Sequence, residues 1–389
     1  MLSRRIPHDF EPTPWAHLLA ERRAGGAAVL DLTEANPTRL GLSGAGPGEL
    51  GALAGAAGAR YEPDPRGSAS ARAAVSAYYA ARGLDVDPAH LVLTAGTSEA
   101  YAHLFRLLAD PGDRFLVPAP SYPLFEPLAA LEGVALHRYR LAFHGNWTLE
   151  LESLERAFRE GARGVIVVQP NHPTGSCLRP AEIEHLESLC EAYGAAIVAD
   201  EVFGDYPWPP ATAPLQSLLG ARRVPTFVLS GLSKVCGLPG MKLSWIAVAG
   251  PRAAREEALA GLEWIADLFL SVGTQVEAAL PRLLEARHGF QLRIGERLDV
   301  NLAALRAFTA RRSEFELLPA AGGWVAVVRV PLVRSEEEWA LELLRRDVVV
   351  HPGHFYEMEG GAHLVLSLIV EPRALEEGLA RLEALAAEV

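Results

Sequence analysis

The stretch Thr226-Phe-Val-Leu-Ser-Gly-Leu-Ser-Lys234-Val-Cys-Gly-Leu-Pro-Gly-Met-Lys242-Leu-Ser-Trp-Ile-Ala-Val-Ala249 sets two apolar runs around a loop of small residues and two lysines. Thr226–Leu229 and Trp245–Ala249 read as buried strands, short and apolar on both faces. Five further runs of the same kind precede them: Leu91–Thr94, Phe115–Pro118, Val134–Tyr139, Val165–Gln169 and Ala196–Ala199. Helical segments such as Ser98–Leu108, Leu149–Glu160 and Pro180–Tyr193 lie between most of them. This alternation predicts an α/β fold whose large domain has a mainly parallel seven-stranded sheet between helices. In such sheets ligands bind at the carboxyl ends of the strands.

The pattern changes after Ala249. One long helical stretch is expected over Arg252–Arg311. Gly322–Val328, Val348–Val350 and Leu364–Leu368 then read as strands of a smaller α+β C-terminal domain, closed by an amphipathic helix from Arg373 to Glu388. The expected division is residues 1–45 as an N-terminal arm and part of the small domain, 46–275 as the large domain and 276–389 as the small domain. Gly41–Gly58, rich in glycine and alanine, is expected to be a loop.

Half of the 389 residues are hydrophobic, more than one core usually needs, which also points to two domains. A net charge of -12 argues against nucleic acid or an anionic membrane as partner. The N-terminus has two arginines without an apolar core behind them, unlike a signal peptide, and no apolar run has the length of a membrane span. Cys177, Cys190 and Cys236 are too few and too scattered for a disulfide framework or a zinc site, so no metal is expected, and a cytoplasmic location is. Of 36 basic residues only Lys234 and Lys242 are lysines, eight positions apart. An amine can lose its proton and attack a carbonyl, and a guanidinium cannot. A lysine just past a strand, at the carboxyl edge of the sheet, could hold an aldehyde cofactor as a Schiff base.

The segment around Lys234 resembles the lysine motif of fold-type I, class I/II aminotransferases, the aspartate aminotransferase-like family, and the likeness covers nearly the whole chain. It implies pyridoxal 5'-phosphate as cofactor, with Lys234 as Schiff-base lysine and proton carrier. Asp200, ending the strand Ile197-Val-Ala-Asp200 and thirty-four residues before Lys234, resembles the aspartate that pairs with the pyridine nitrogen and keeps the ring an electron sink. Gly96, Thr97 and Ser98, in a turn between a strand and a helix, resemble the phosphate loop; plain helix capping by Thr97 or Ser98 is the alternative. Tyr122, in Pro120-Ser-Tyr-Pro123, resembles the aromatic that stacks on the ring. Tyr61 resembles the tyrosine that reaches the phosphate across a dimer. The implied assembly is a homodimer with shared active sites, acting on an amino acid and a 2-oxo acid.

Several positions depart from the family pattern. The family's asparagine before Pro-Thr-Gly is His172 here, with Asn171 one earlier, so either residue could donate to the cofactor's phenolic oxygen. Phe203 replaces a tyrosine donor to the same oxygen, with Tyr206 nearby in sequence. Lys242 replaces the arginine on the phosphate. Val365-Leu-Ser367 replaces the Arg-Leu-Ser run whose arginine grips the substrate carboxylate. Arg39 is the leading substitute, with Arg329 and Arg373 behind it. Pro352-Gly-His-Phe355 resembles a small-domain active-site loop. The missing arginine keeps two other outcomes open on the same site, β-elimination and decarboxylation. A non-catalytic cofactor-binding sensor domain is the remaining alternative.

Overall fold

The computed structural model describes residues 3–6, 11–55, 61–211 and 215–388. The large sheet has eight strands in chain order: β1 Leu91–Thr94, β2 Arg114–Ala119, β3 Ala135–Phe143, β4 Trp147–Leu149, β5 Gly164–Val168, β6 Ala196–Asp200, β7 Thr226–Gly231 and β8 Ser244–Ala249. Across the sheet the order is β1-β8-β7-β6-β5-β2-β3-β4. The run β7-β6-β5-β2-β3 is parallel, while β8 is antiparallel to both β7 and β1. All seven expected strands are present. The eighth, β4, forms an antiparallel hairpin with β3 at the sheet edge. Three residues, two of them half-buried, carry too little apolar signal to be read as a strand beforehand.

Strands β5, β6, β7 and β8 are buried at every position, as helices on both faces require. One layer of core packs Leu116, Val165, Ile197, Val228 and Trp245 under the helix Ala69–Ala80 and its neighbours. The other packs Val92, Phe115, Ile166, Val198 and Phe227 under the helices Thr97–Leu108 and Arg252–Asp267.

The expected single helical stretch is three helices, Arg252–Asp267, Thr274–Glu285 and Arg287–Arg311. The first break falls at Leu270, whose φ of 44° is left-handed, followed by Ser271 and Gly273. There the Ser271 hydroxyl donates to Glu99, which draws this turn against the start of the helix Thr97–Leu108.

The small sheet has β9 Glu316–Leu317, β10 Val325–Val330, β11 His351–Pro352 and β12 Ala362–Ser367, in the order β9-β10-β12-β11 and antiparallel throughout. The expected strand Val348–Val350 is divided: Val348–Val349 pairs in parallel with Leu30–Asp31 of the N-terminal segment, and β11 follows. The Ser367 N–H also donates to the Leu32 carbonyl. The N-terminal segment is thereby fastened to the small sheet. The expected loop Gly41–Gly58 contains a short helix, Pro47–Leu50, and a 3-10 turn, Gly51–Ala54; residues 56–58 of it lie outside the described residues.

The carboxyl ends of β1, β2, β5, β6 and β7 share one edge of the large sheet, and the first residue of β8, Ser244, lies at that edge beside both Thr94 and Gly231. The approach there is close. A Cβ on Gly231 would lie 2.1 Å from Ser244 Oγ and 2.9 Å from its Cα. We predict that Gly231→Ala forces β7 from β8, three residues before Lys234, and costs about 1–3 kcal/mol. Urea denaturation measures this, and an unchanged midpoint would show that the edge can yield.

Candidate active site

Each of these five strands leads into the site at that edge. β1 leads to Gly96 and Thr97, β2 to Tyr122, β5 to His172, and β6 ends on Asp200. β7 runs into the single helical turn Leu232–Val235 that carries Lys234. These loops form the floor of a cavity of about 310 Å³. Thr97, Tyr122, His172, Asp200, Phe203, Ser233, Lys234 and Ser244 line it from the large domain. Thr33 and Ala35 of the N-terminal segment close one side, and Trp324, His351, Tyr356 and Val365 of the small domain form the roof.

The Lys234 amine stands among aromatic faces, 4.9 Å from the ring centroid of Trp324 and 5.3 Å from that of Phe203. Burial pushes it down to about 8, against the opposing pull of Asp200. Burial likewise raises the Asp200 carboxyl to about 6, although the Val202 N–H and the Tyr101 hydroxyl both donate to it. The Tyr101 bond, 3.0 Å long, fixes one carboxylate oxygen. His172 is pushed down to about 3 by burial and by Lys234 and His351, so its ring is neutral near pH 7. It lies parallel to Phe203 at 6.1 Å and meets Tyr122 and Tyr356 edge-on.

The choice between Asn171 and His172 has a geometric answer as far as the cavity is concerned. His172 lines it; Asn171 turns away, its amide donating to the Pro120 carbonyl and to Thr174 Oγ1. Tyr206 also turns away, and its hydroxyl donates to the backbone carbonyl of Lys234. Neither Thr97 nor Ser98 caps its helix: the N-cap position is Gly96, and the Glu99 carboxylate accepts from the Ala95 N–H. Ser98 is exposed, while Thr97 reaches the cavity. The Lys242 amine lies 3.4 Å from where a Cβ on Gly96 would be, which puts a cation beside the start of the helix Thr97–Leu108. Tyr61 is 76 % exposed and lines a different cavity, with Leu270 and Ser271; Arg60 beside it lies outside the described residues.

The three candidate arginines are not brought to the cavity. Arg39 is largely exposed and pairs with Glu34 at 3.2 Å. Arg329 pairs with Glu316 at 2.6 Å and lies over the Phe143 ring. Arg373 is exposed in the first turn of the last helix. Within Pro352–Phe355 the side chain of His354 pairs with Glu336 at the surface, and the flanking His351 and Tyr356 face the cavity instead. Sequence reasoning passed over Tyr101, His351, Tyr356 and Trp324. Tyr101 and Trp324 carry no local signal; His351, directly before the singled-out loop, could have been found from its neighbourhood.

A profile of the aminotransferase class I and II family matches residues 34–382. The chain belongs to that family. Its members use pyridoxal phosphate. Glutamate-pyruvate aminotransferase of Escherichia coli is 28 % identical over 265 residues, which is 67 % of this chain and 64 % of the relative. The match thus spans under two thirds of that relative's length. S-alkyl-thiohydroximate lyase of Arabidopsis thaliana is 30 % identical over 51 % of this chain and 43 % of its own. Among solved structures, alanine aminotransferase from Pyrococcus furiosus superposes with a TM-score of 0.87 at 22 % identity, over the full length of both chains. That likeness shows a shared fold.

The residues present fit the family's cofactor. The Lys242 amine beside Gly96 and the helix start suits a phosphate. Tyr122 offers a ring face, Asp200 a carboxylate for a ring nitrogen, and Lys234 an amine for an aldehyde. With its pKa near 8, about one Lys234 amine in ten is unprotonated at pH 7. A base with a lowered pKa gains reactivity as pH rises through that value. In protein free of cofactor, the rate of reductive methylation at Lys234 should rise about tenfold per unit up to about pH 7.5 and level off above about pH 9. Peptide mass spectrometry follows it. A rate still climbing at pH 10 would show that the amine is not desolvated.

Proposed function

We propose that this protein is an aminotransferase that moves an amino group between an amino acid and a 2-oxo acid, with pyridoxal phosphate held at Lys234. The observation that carries this reading is a desolvated lysine and a desolvated carboxylate facing one cavity at the carboxyl edge of the sheet. In that arrangement Lys234 is the covalent anchor, Lys242, Thr97 and Gly96 hold the phosphate, Tyr122 stacks on the ring, and His172 is the donor near its phenolic oxygen. The bound cofactor supplies an electron sink for the bond broken at the substrate's α-carbon. Asp200, fixed by Tyr101, keeps its charge toward the ring nitrogen. The Lys234 amine, once free, would be close enough to neutrality to take a proton from the substrate's α-carbon and hold it for return. Phe203, Trp324 and Tyr356 exclude water from that transfer.

A lyase reading has one specific support, the similarity to the thiohydroximate lyase. It needs the same Lys234 and Asp200 and differs only in what leaves the substrate.

Borohydride reduction of the yellow holoenzyme followed by peptide mapping should place the adduct on Lys234 and leave Lys242 unmodified. Lys234→Ala should retain cofactor and lose turnover of amino donors with 2-oxoglutarate or pyruvate. An adduct on Lys242 would sink the reading, and release of pyruvate and ammonia without an acceptor would move it to the lyase.

A homodimer is part of the same proposal. Trp264 and Leu268, one turn apart, are 69 % and 64 % exposed, with the half-exposed Phe269 beside them. The second cavity joins Tyr61 to Ala266 and Leu270 of the same segment. Exposed apolar side chains on this segment, with Tyr61 at the cavity beside it, suit a second copy. Trp264→Glu with Leu268→Glu should convert a dimer to a monomer in light scattering, with loss of cofactor retention. A wild-type monomer that transaminates would refute the shared site. A cytoplasmic location completes the reading, supported by three free cysteines. No helix among the described residues is long and apolar enough to cross a membrane.

A further inference from the structure

We propose that His351 binds the substrate carboxylate in place of the arginine that the chain lacks at Val365, and so sets specificity. The inference rests on the amino-acid reading above. It begins with the register of the small sheet, where His351 on β11 is paired directly with Val365 on β12. Directly paired residues of antiparallel strands share a face, with Cβ atoms about 4.5–5.5 Å apart. A side chain at 351 therefore covers the same part of the cavity wall as one at 365, and both line it. Val365 is buried with Val325, Val327 and Met358 and offers no polar atom. His351 offers two ring nitrogens.

One of them is already used. His351 Nδ1 lies 2.8 Å from the Tyr356 hydroxyl. Burial keeps that phenol protonated and holds the imidazole below its ordinary pKa, and with the Tyr356 hydroxyl donating to Nδ1 the ring hydrogen would reside on Nε2. Trp15 and Phe355 pack on the ring at 5.6 and 5.7 Å and fix its plane. Nε2 has no hydrogen-bond partner among the described residues and is not a sealed atom. In that tautomer it is an N–H donor without an acceptor, on a residue that lines the cavity.

Elimination among the lining residues leads to the same place. The only lysine, arginine or histidine side chains lining the cavity among the described residues are Lys234, His172 and His351. Lys234 is taken by the cofactor. His172 lies over Phe203 on the floor, beside Lys234, where the cofactor ring would be. His351 on the roof is left for the substrate.

The test compares two ligands of the holoenzyme by calorimetry, 3-phenylpropionate and the neutral 3-phenylpropanol, neither of which needs turnover. His351→Ala should weaken 3-phenylpropionate about tenfold or more and leave 3-phenylpropanol within about twofold, and His351→Gln, which keeps an N–H donor, should recover part of the loss. In turnover of phenylalanine, His351→Ala should raise KM by the same factor with a smaller change in kcat. Equal weakening of both ligands would make His351 merely structural, and an unchanged Kd for 3-phenylpropionate would overturn the proposal. So would wild-type holoenzyme that binds the alcohol and not the acid. If carboxylate discrimination is found without transamination of any donor, His351 keeps its role and the transferase reading fails instead.

Discussion

Burial of one amine governs much of this molecule. An ammonium at Lys234 loses hydration that the faces of Phe203 and Trp324 only partly replace, so its proton is held loosely. The cost is tolerable because Asp200 faces the same space and because the turn carrying the lysine is clamped from behind. Tyr206 donates to the Lys234 carbonyl, and Gln291 donates to the carbonyl of Val235. Gln291 and Tyr78 also donate to Asp205, whose other oxygen lies 3.4 Å from Arg82, both side chains nearly buried. Removing one member of such a set strands a buried charge, so the cluster acts as a unit beneath the site.

The clamp spans both domains. Gln291 belongs to the long helix Arg287–Arg311, which packs into the small-domain core through Phe290, Ile294 and Leu298. Trp324 comes from the small sheet and meets Tyr206 and Phe203 edge-on. The lysine turn is therefore held by residues distant in sequence, and the cavity above it exists only when large domain, small domain and N-terminal segment are together.

What could be read beforehand follows from this division. The strands were legible because β5 to β8 are buried on both faces, which leaves an unbroken apolar run in the sequence. Lys234 and Asp200 were legible because their chemistry is rare in such a place: one of two lysines just past a strand, and a carboxylate at a strand end. The small edge strand β4 and the break at Leu270 were not, because a hairpin and a left-handed residue are decided by packing against β3 and Glu99. Side-chain direction was the least legible quantity. Asn171 and His172 are adjacent, and only the folded loop shows that the asparagine is spent on Pro120 and Thr174. Arg39 could be placed in an active-site segment by position, yet its side chain pairs with Glu34 at the surface. His351 and Val365 are separated by thirteen intervening residues, and nothing in that interval announces their pairing.

The same pairing changes how selectivity would be achieved. A guanidinium grips a carboxylate with two charge-assisted bonds and does so whatever the substrate's side chain. A neutral imidazole gives one bond, worth less, so more of the binding must come from the walls. Those walls are Trp324, Val325, Tyr122 and Phe203, with Val365 where a charge would have been. Burial of apolar substrate surface against them contributes in proportion to its area. A second carboxylate on the substrate would find no arginine among the described lining residues and would lose its hydration without replacement. With valine on one strand where an arginine is usual and histidine on the next, the site would read shape more than charge. The fit of the small-domain roof, rather than a single ion pair, would then determine which amino donor is accepted.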